Sequence, residues 1–489
     1  MSKPILRFAA VSAMVGAVAL LTGCVSDGAL KPQASLRDAK ELRAGATLAQ
    51  ADVSPAAWPD RHWWHRYGDA QLDRLIDEAL ATSPTMRIAD ARVRQAAAMA
   101  GVAGAALAPQ VSGNARSDRF GFPKTGDTPD PLAGTWQWRN EATLNFSYEL
   151  DFWGKNQAAV GAALGRQRAA EVESEAARLV LTVGMTQTYL KLSQLYAQRD
   201  LGQRVLQQRQ QVLELTRQRV AGRIDSQADL KQAQLTVPNA QADIAAVDEA
   251  IALARTQLAA LMGSGPDRGA AIARPQLQAV RPAGPPTVLA SELLARRPDV
   301  VAQRWRVEAL RKDIEVAKAG FYPSINLNGL IGLQAFGLGN FLQGGSRLAD
   351  AGAGLSLPIF DGARLRGNLA LRDADYDIAV EAYNQTLVDA LRDVVGELVS
   401  IGWLAQREAY QAEAMATAQQ AYELSLQRYR AGVGNYLQVL AAQSQVLAQQ
   451  RAQIDLDTRA FELDLQLARA LGGGFQAVSL PGQTAISQR

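Results

Sequence analysis

Two stretches of this chain carry the same punctuation in the same order, and that repeat narrows the folds open to it. Ala108-Pro109-Gln110-Val111-Ser112 ends a helical pattern and opens an alternating one. Tyr322-Pro323-Ser324-Ile325-Asn326 does the same, with Pro323 standing 214 residues after Pro109. Ser83-Pro84-Thr85 and Arg297-Pro298-Asp299 are separated by the same 214 residues, and Phe152-Trp153-Gly154 is answered by Phe360-Asp361-Gly362. Val220-Ala221-Gly222 and Arg430-Ala431-Gly432 follow at a spacing of 210. Markers that keep their order and spacing in this way indicate a duplicated unit. The unit reads helix, strand, loop, strand, very long helix, turn, helix.

The long helices are the most demanding part of that unit. No proline interrupts Pro131 to Pro238 or Pro358 to Pro481. The runs 155–220 and 364–430 hold 66 and 67 residues. At about 1.5 Å per residue each spans roughly 100 Å, where an ordinary helix has about 11–12 residues. Leu201, Val205, Gln208, Val212, Leu215 and Arg219 step by four and three, as do Tyr436, Leu440, Gln443, Leu447, Gln450 and Ile454. That is coiled-coil seam spacing, with glutamine in places where a leucine zipper has apolar residues. Glycine-containing turns close both long helices. Shorter helices over 228–262 and 435–471 return, the first with Pro238 inside it, where a kink is expected. A preceding helix is expected from Asp69 to Leu107, since Leu72, Leu75, Ile76, Ala79 and Leu80 share one face.

Between the helices the period changes to two. Ala142, Leu144, Phe146, Tyr148 and Leu150 alternate with Glu141, Thr143, Asn145, Ser147, Glu149 and Asp151. Such a strand has one apolar and one strongly polar face. Val111, Gly113 and Ala115 begin a second strand, Ile325 and Leu327 a third, and Leu355, Leu357 and Ile359 are expected to form a fourth. Each run approaches the roughly 9–11 residues with which a tilted strand crosses a bilayer. Trp136 and Trp138 at one end, and Phe152 and Trp153 at the other, stand where aromatic girdles belong. Four strands cannot close a barrel, and an open edge in lipid strands backbone groups at several kcal/mol each. The chain must therefore share its barrel with identical copies. Two copies would suffice for closure, and three would make a wider ring.

The N-terminus sets the compartment. Lys3 and Arg7 precede an apolar run from Phe8 to Leu21, too short to span a bilayer and typical of a signal peptide. Leu21-Thr22-Gly23-Cys24 resembles a bacterial lipoprotein signal, which makes an acylated Cys24 the mature N-terminus, and Val25 rather than Asp favours the outer membrane. Cys24 is the only cysteine, so no disulfide or thiolate metal site is expected. The near balance of 51 basic and 48 acidic side chains argues against nucleic acid. The only histidines, His62 and His65, are flanked by Trp63, Trp64 and Tyr67 and are expected to pack rather than bind metal. No phosphate loop, nucleophile elbow or zincin motif is present, so an enzyme is not expected. The resulting division is a signal peptide (1–23), an anchored wrapping segment (24–57), a first repeat (58–265), a Pro- and Ala-rich joint (266–290), a second repeat (291–474) and a tail (475–489).

Four spaced motifs then point to one family. They are Trp63-Trp64 with Tyr67-Gly68-Asp69-Ala70-Gln71-Leu72; Arg297-Pro298-Asp299-Val300; Ala319-Gly320-Phe321-Tyr322-Pro323-Ser324-Ile325; and Ile359-Phe360-Asp361-Gly362-Ala363-Arg364-Leu365. Together they resemble the NodT branch of the TolC-like outer-membrane efflux proteins, from about Trp58 to Gly474. The resemblance implies a mainly α fold with a transmembrane β-barrel portion: a homotrimer with a 12-stranded barrel above a long periplasmic α-barrel. It implies a passive exit duct for drugs or other small toxic compounds, without cofactor, fed by an inner-membrane pump of the RND or MFS kind through a periplasmic adaptor. It places adaptor docking at Val220, Ala221, Gly222 and Arg223 and at Ala431, Gly432, Val433 and Gly434. The family's acidic gate positions fall on Gln438 and Ala441, which carry no charge. Tyr429 matches the aromatic position, so the resemblance leaves a gate built from Tyr429, Arg430, Asp229 and Gln438. A duct for protein secretion would share this architecture. A periplasmic coiled-coil lipoprotein without a channel is the remaining alternative.

Overall fold

The computed structural model describes residues 26–38, 41–42, 57–125, 127–280 and 295–477. Cys24, the signal peptide and part of the joint expected over 266–290 lie outside them. The chain divides into two compact units. One comprises Met1–Leu36, Arg94–Ala169 and Arg304–Ala382, and the other Arg37–Val93, Ala170–Gln303 and Tyr383–Arg489.

The first unit is built on one antiparallel sheet of strands β1 (Gln110–Gly121), β2 (Trp136–Leu150), β3 (Ser324–Phe336) and β4 (Arg347–Ser356), in the order β1-β2-β3-β4. The two hairpins of the repeat are therefore joined: Leu144 of β2 lies opposite both Gly113 and Ile331, which in turn faces Ala349. β4 is displaced from where alternation placed it. It ends at Ser356, leaving Leu357 and Ile359 beyond the strand, because Pro358 has no N–H for a ladder bond. Residues 26–36 run beside the start of the second long helix. Leu30 packs among Ile314, Phe321, Leu365 and Leu369, and the N–H groups of Gln33 and Ala34 donate to Asp377 Oδ1 at 3.0 and 2.9 Å.

Helices dominate the second unit, and several of them continue into the first. The single helix expected over Asp69–Leu107 is broken into α1 (Ala70–Thr82) and α2 (Pro84–Ala105). Ser83 between them is extended, with ψ 132°, because the Cδ of a following proline excludes the residue before it from the helical region. The long helices are α3 (Lys155–Ala221, 67 residues) and, after α4 (Gln227–Leu261), α5 (Pro266–Ala270) and α6 (Pro298–Ala319), α7 (Gly362–Arg430, 69 residues). Helix α8 (Tyr436–Ala470) completes the set, and α4 continues unbroken through Pro238. Where the two seams meet, polar opposes polar: Gln443 Nε2 donates to Gln208 Oε1 at 3.5 Å.

The motif Tyr67–Leu72 proves to be a buried knot. Trp64, Tyr67, Leu72 and Ile76 are fully buried with Tyr189 and Met262. Tyr67 Oη donates to Asp464 Oδ2 (3.0 Å), and Arg66 Nη1 to Asp464 Oδ1 (2.9 Å). Asp69 caps α1 by accepting from Gln71 N–H, and its other oxygen takes bonds from Tyr189 Oη (2.8 Å) and Gln276 N–H (2.7 Å). Gln71 Oε1 accepts from Ala273 N–H at 2.9 Å. The segment leaving α5 is thus pinned to the entry of α1. In the second repeat, buried Arg297 grips Asp299 with two bonds (3.0 and 2.6 Å) and reaches Asp393 at 3.5 Å. Each motif is held by charge-assisted bonds that no neutral residue could supply.

Candidate functional site

The register sorts the sheet into two chemically opposite faces. Val111, Gly113 and Ala115 share a face with Ala142, Leu144, Phe146 and Tyr148, with Leu327, Ile331 and Leu333, and with Ala349, Ala351, Ala353 and Leu355. In the single chain this greasy surface is bare: Val111, Leu144, Ile331 and Leu355 are each more than half exposed. The opposite face carries Ser112, Asn114, Arg116, Glu141, Asn145, Ser147, Glu149, Asn326, Asn328 and Asp350. Glu141 stands opposite Arg116 and Gln334, and Glu149 accepts from Lys155 Nζ at 2.9 Å. A sheet wet on one side and apolar on the other suits lipid outside and water inside. Trp136 and Trp138 project on the apolar face, both exposed. At the other end Phe152 is exposed, while Trp153 donates its Nε1–H to Pro323 O (2.7 Å) and stacks on Tyr322 at 4.7 Å.

The second candidate region is the pair of hairpin tips. Helix α3 stops at Ala221, and Arg223 takes a positive φ of 59° in the turn. Gly432 ends the matching turn after α7 with φ 79°, a conformation that glycine adopts without strain. Ala221, Gly222, Arg223, Ala431, Gly432 and Val433 are all exposed, while Val220 and Gly434 are half-buried. Asn435 caps α8, its Oδ1 accepting from Gln438 N–H at 3.0 Å.

Behind these turns lies a compact cluster. Tyr429 is fully buried. Its hydroxyl donates to Asp225 Oδ2 at 2.5 Å and lies 3.0 Å from Thr216 Oγ1. Arg219 holds the same carboxylate with Nε and Nη2 (2.9 and 3.0 Å) and donates from Nη1 to Tyr429 O at 2.6 Å. Its guanidinium also lies 4.2 Å over the Tyr429 ring. Both charged side chains are over nine-tenths buried. Burial raises the Asp225 carboxyl pKa, but the bonds from Arg219 and Tyr429 outweigh it and hold the group below its ordinary 3.8. Burial, reinforced by Asp225, pushes the Tyr429 phenol up to about 12. The end of α7 is thereby tied to the α3–α4 turn by a charged, hydrogen-bonded latch.

Of the four gate candidates, only Tyr429 enters this latch. Asp229 is committed elsewhere: its Oδ2 accepts from Ser226 N–H (3.0 Å) and Oγ (2.6 Å) in the capping box of α4. The aromatic partner is Asp225, four residues earlier. Arg430 and Gln438 are exposed. Ser226-x-x-Asp229 is itself a capping-box signature that sequence reasoning passed over, and Arg219 was legible only as a charge in a seam. His62 and His65 stack at 5.3 Å, with His65 Nε2 3.7 Å from Asp73. No group of metal-ligating side chains occurs among the described residues, and none of their helices is long and apolar enough to cross a membrane.

A four-stranded sheet with a bare apolar face, joined in sequence to helices of 67 and 69 residues, defines a class: outer-membrane channel proteins of the envelope. Comparison with known proteins makes it specific. The outer membrane efflux protein family matches residues 75–264 and again residues 289–473, and the chain belongs to that family. It is 41% identical to the fusaric acid resistance protein FusA of Burkholderia cepacia over 379 residues, 76% of this chain and 71% of FusA. It is 32% identical to the multidrug resistance outer membrane protein MdtP of Shigella flexneri over 95% of this chain and 96% of MdtP. The crystal structure of the outer membrane protein VceC from Vibrio cholerae superposes with a TM-score of 0.80 at 39% identity, covering 86% of this chain and all of VceC. The protein is an exit duct of the outer membrane that extends into the periplasm.

Proposed function

We propose that three copies of this chain form the outer-membrane end of a tripartite pump, passing small toxic organic compounds outward. The observation that carries this is the sheet. Strands β1 and β4 each pair on one side only, and the apolar face between them is uncovered. In lipid those edges must pair, and β4 of one copy against β1 of the next closes a 12-stranded ring from three chains. The double family match supports the duplication. The names of FusA and MdtP support drugs and related toxicants as cargo over secreted proteins. A strandless coiled-coil scaffold does not fit the four-stranded sheet.

The exposed Ala-Gly tips, 221–223 and 431–433, supply the docking surface for a periplasmic adaptor, which delivers cargo from an inner-membrane transporter. The Tyr429–Asp225–Arg219 latch keeps the aperture shut until the adaptor engages. Acylated Cys24 anchors the chain. In support, residues 28–34 lie along the first turns of α7, the end that follows β4, so the strap starts on the membrane side. Duct chemistry is passive and needs no cofactor.

Cysteine pairs test the ring. Cysteines placed at Ser112 on β1 and at Gly352, Gly354 or Ser356 on β4, in the chain that keeps its acylated Cys24, should cross-link into trimers for at least one pairing. Failure of every pairing, with intact monomer on the gel, overturns the shared barrel.

A further inference from the structure

One cluster contradicts the chemistry of the face that carries it. Phe120 and Phe336 belong by register to the polar side of the sheet, opposite Gln137 and Arg139. Phe122, just beyond β1, joins them. Its ring meets Phe120 at 5.0 Å and Phe336 at 5.6 Å, both edge-on. Arg139 lies 5.3 Å over the Phe120 ring. Arg139 and Arg116 share the Asp118 carboxylate at 3.0 and 3.1 Å, with Glu141 opposite Arg116 across the strands, so two guanidiniums with ten N–H donors between them retain donors that Asp118 does not take up. Phe120 and Phe336 remain 40% and 42% exposed. A face that is mostly polar, with Leu330 and Leu348 its only aliphatic side chains among the paired strand residues, thus ends, away from the long helices, in three aromatic rings beside cationic donors.

We propose that Phe120, Phe122 and Phe336, with Arg116 and Arg139, form an aromatic ledge at the outward end of the duct that retains planar aromatic carboxylates in transit. The ledge rests on the reading that this polar face lines a water-filled passage. A ring in transit packs against the phenylalanines in offset or edge-to-face geometry, which favours aromatic over saturated rings of the same size. The carboxylate meets the guanidinium donors left over from Asp118. Retention at the exit makes the final step of export slower for such solutes than for aliphatic acids of equal bulk.

The purified full-length protein carrying Asp225→Ala, which releases the tip latch so that current flows, provides the test in planar bilayers, with 2-naphthoate or its fully saturated analogue added on the side facing the strand loops. Naphthoate should reduce the ion current at concentrations about fivefold lower than the saturated acid. Replacing Phe120, Phe122 and Phe336 together by Leu keeps bulk and apolar packing and should erase that difference. R116Q should weaken both acids. Equal potency of the two acids with the ledge unaltered, or an unchanged difference in the Leu variant, overturns the ledge while leaving the duct intact. Absence of any ion current overturns the duct and the ledge together.

Discussion

Asp225→Ala is the perturbation that most directly probes the tip latch. It removes the acceptor of Tyr429 Oη and of two Arg219 donors while leaving a guanidinium that is 7% exposed without its counter-charge. Breaking a buried ion pair from one side costs about 3–5 kcal/mol. That pair lies within one hairpin, so what Asp225 adds against separation of the tips is its bond from the Tyr429 hydroxyl; a hydrogen bond to a charged group contributes about 1.5–3 kcal/mol, and its loss shifts the closed-to-open equilibrium roughly ten- to a hundredfold per chain. Asp229→Ala loses only the capping box, a contribution of about 1 kcal/mol that acts within α4 rather than between the tips. Leak conductance of the purified protein in planar bilayers should therefore rise strongly for Asp225→Ala and little for Asp229→Ala. Titration adds a second signature. The Asp225 carboxyl titrates below its ordinary 3.8 in the folded chain, so its contribution is present above that value and disappears as pH falls through the lower folded pKa. The Tyr429 phenol is raised to about 12, so its contribution is complete below its ordinary 10 and declines only toward 12. The native closed state should hold from about pH 4 to 10 and leak below that window. Unchanged leak in a folded Asp225→Ala protein, or equal leak in both variants, would refute the reasoning.

Three further outcomes follow from the same contacts. Asp464 is 1% exposed and serves both Tyr67 and Arg66, so Asp464→Ala should lower the thermal unfolding midpoint well beyond the change given by an exposed acid such as Asp457→Ala, scanned at one heating rate. Gly472 has φ 88° and its missing side chain would run into the Arg296 carbonyl, so Gly472→Ala should cost about 1–3 kcal/mol, seen as a lower midpoint or loss of folded yield. Spin labels at Glu141 and Leu144 should report water and lipid respectively, and a lipid-contact signal at Glu141 would invert the two faces.

How much of this could be read beforehand divides along physical lines. The long helices and the alternating strands were legible because periodicity and missing prolines act over many residues. The break at Ser83 is written in Pro84, but the apolar pattern of α1 runs past it and masks the stop. The end of β4 was missed for the opposite reason: Leu357 and Ile359 keep the alternation, while the backbone donor that a ladder needs is absent at Pro358. Pairing of β2 with β3 joins residues almost 190 positions apart, as Leu144 with Ile331, which no local pattern records. The latch was half visible. Tyr429 could be placed by its distance from Gly432, but Arg219 and Asp225 meet it only through the packing of α3 against the end of α7.

That packing has a consequence for how such a duct is opened. Every bond of the latch lies within one chain: Thr216, Arg219 and Asp225 on one hairpin, Tyr429 at the end of the other long helix. Each copy therefore carries a latch of its own, which it must release for its tips to part. Release breaks the Tyr429 bonds to Asp225, Arg219 and Thr216 and leaves the Arg219–Asp225 pair intact; at about 3 kcal/mol per chain, a ring of three closes against about 9 kcal/mol, and fewer than roughly one ring in a million opens unaided. A buried latch also gains little from ionic strength, since charges more than nine-tenths covered are screened far less than surface pairs. Salt or thermal fluctuation is then a poor trigger. What shifts the equilibrium is a partner that binds the separated tips better than the joined ones, by a factor close to the one the latch imposes. The exposed Ala-Gly turns on either side of the latch are where such a partner can act on both hairpins at once. An adaptor that docks with equal affinity on native and Asp225→Ala tips would have no such leverage, and the latch would have to be opened by some other means.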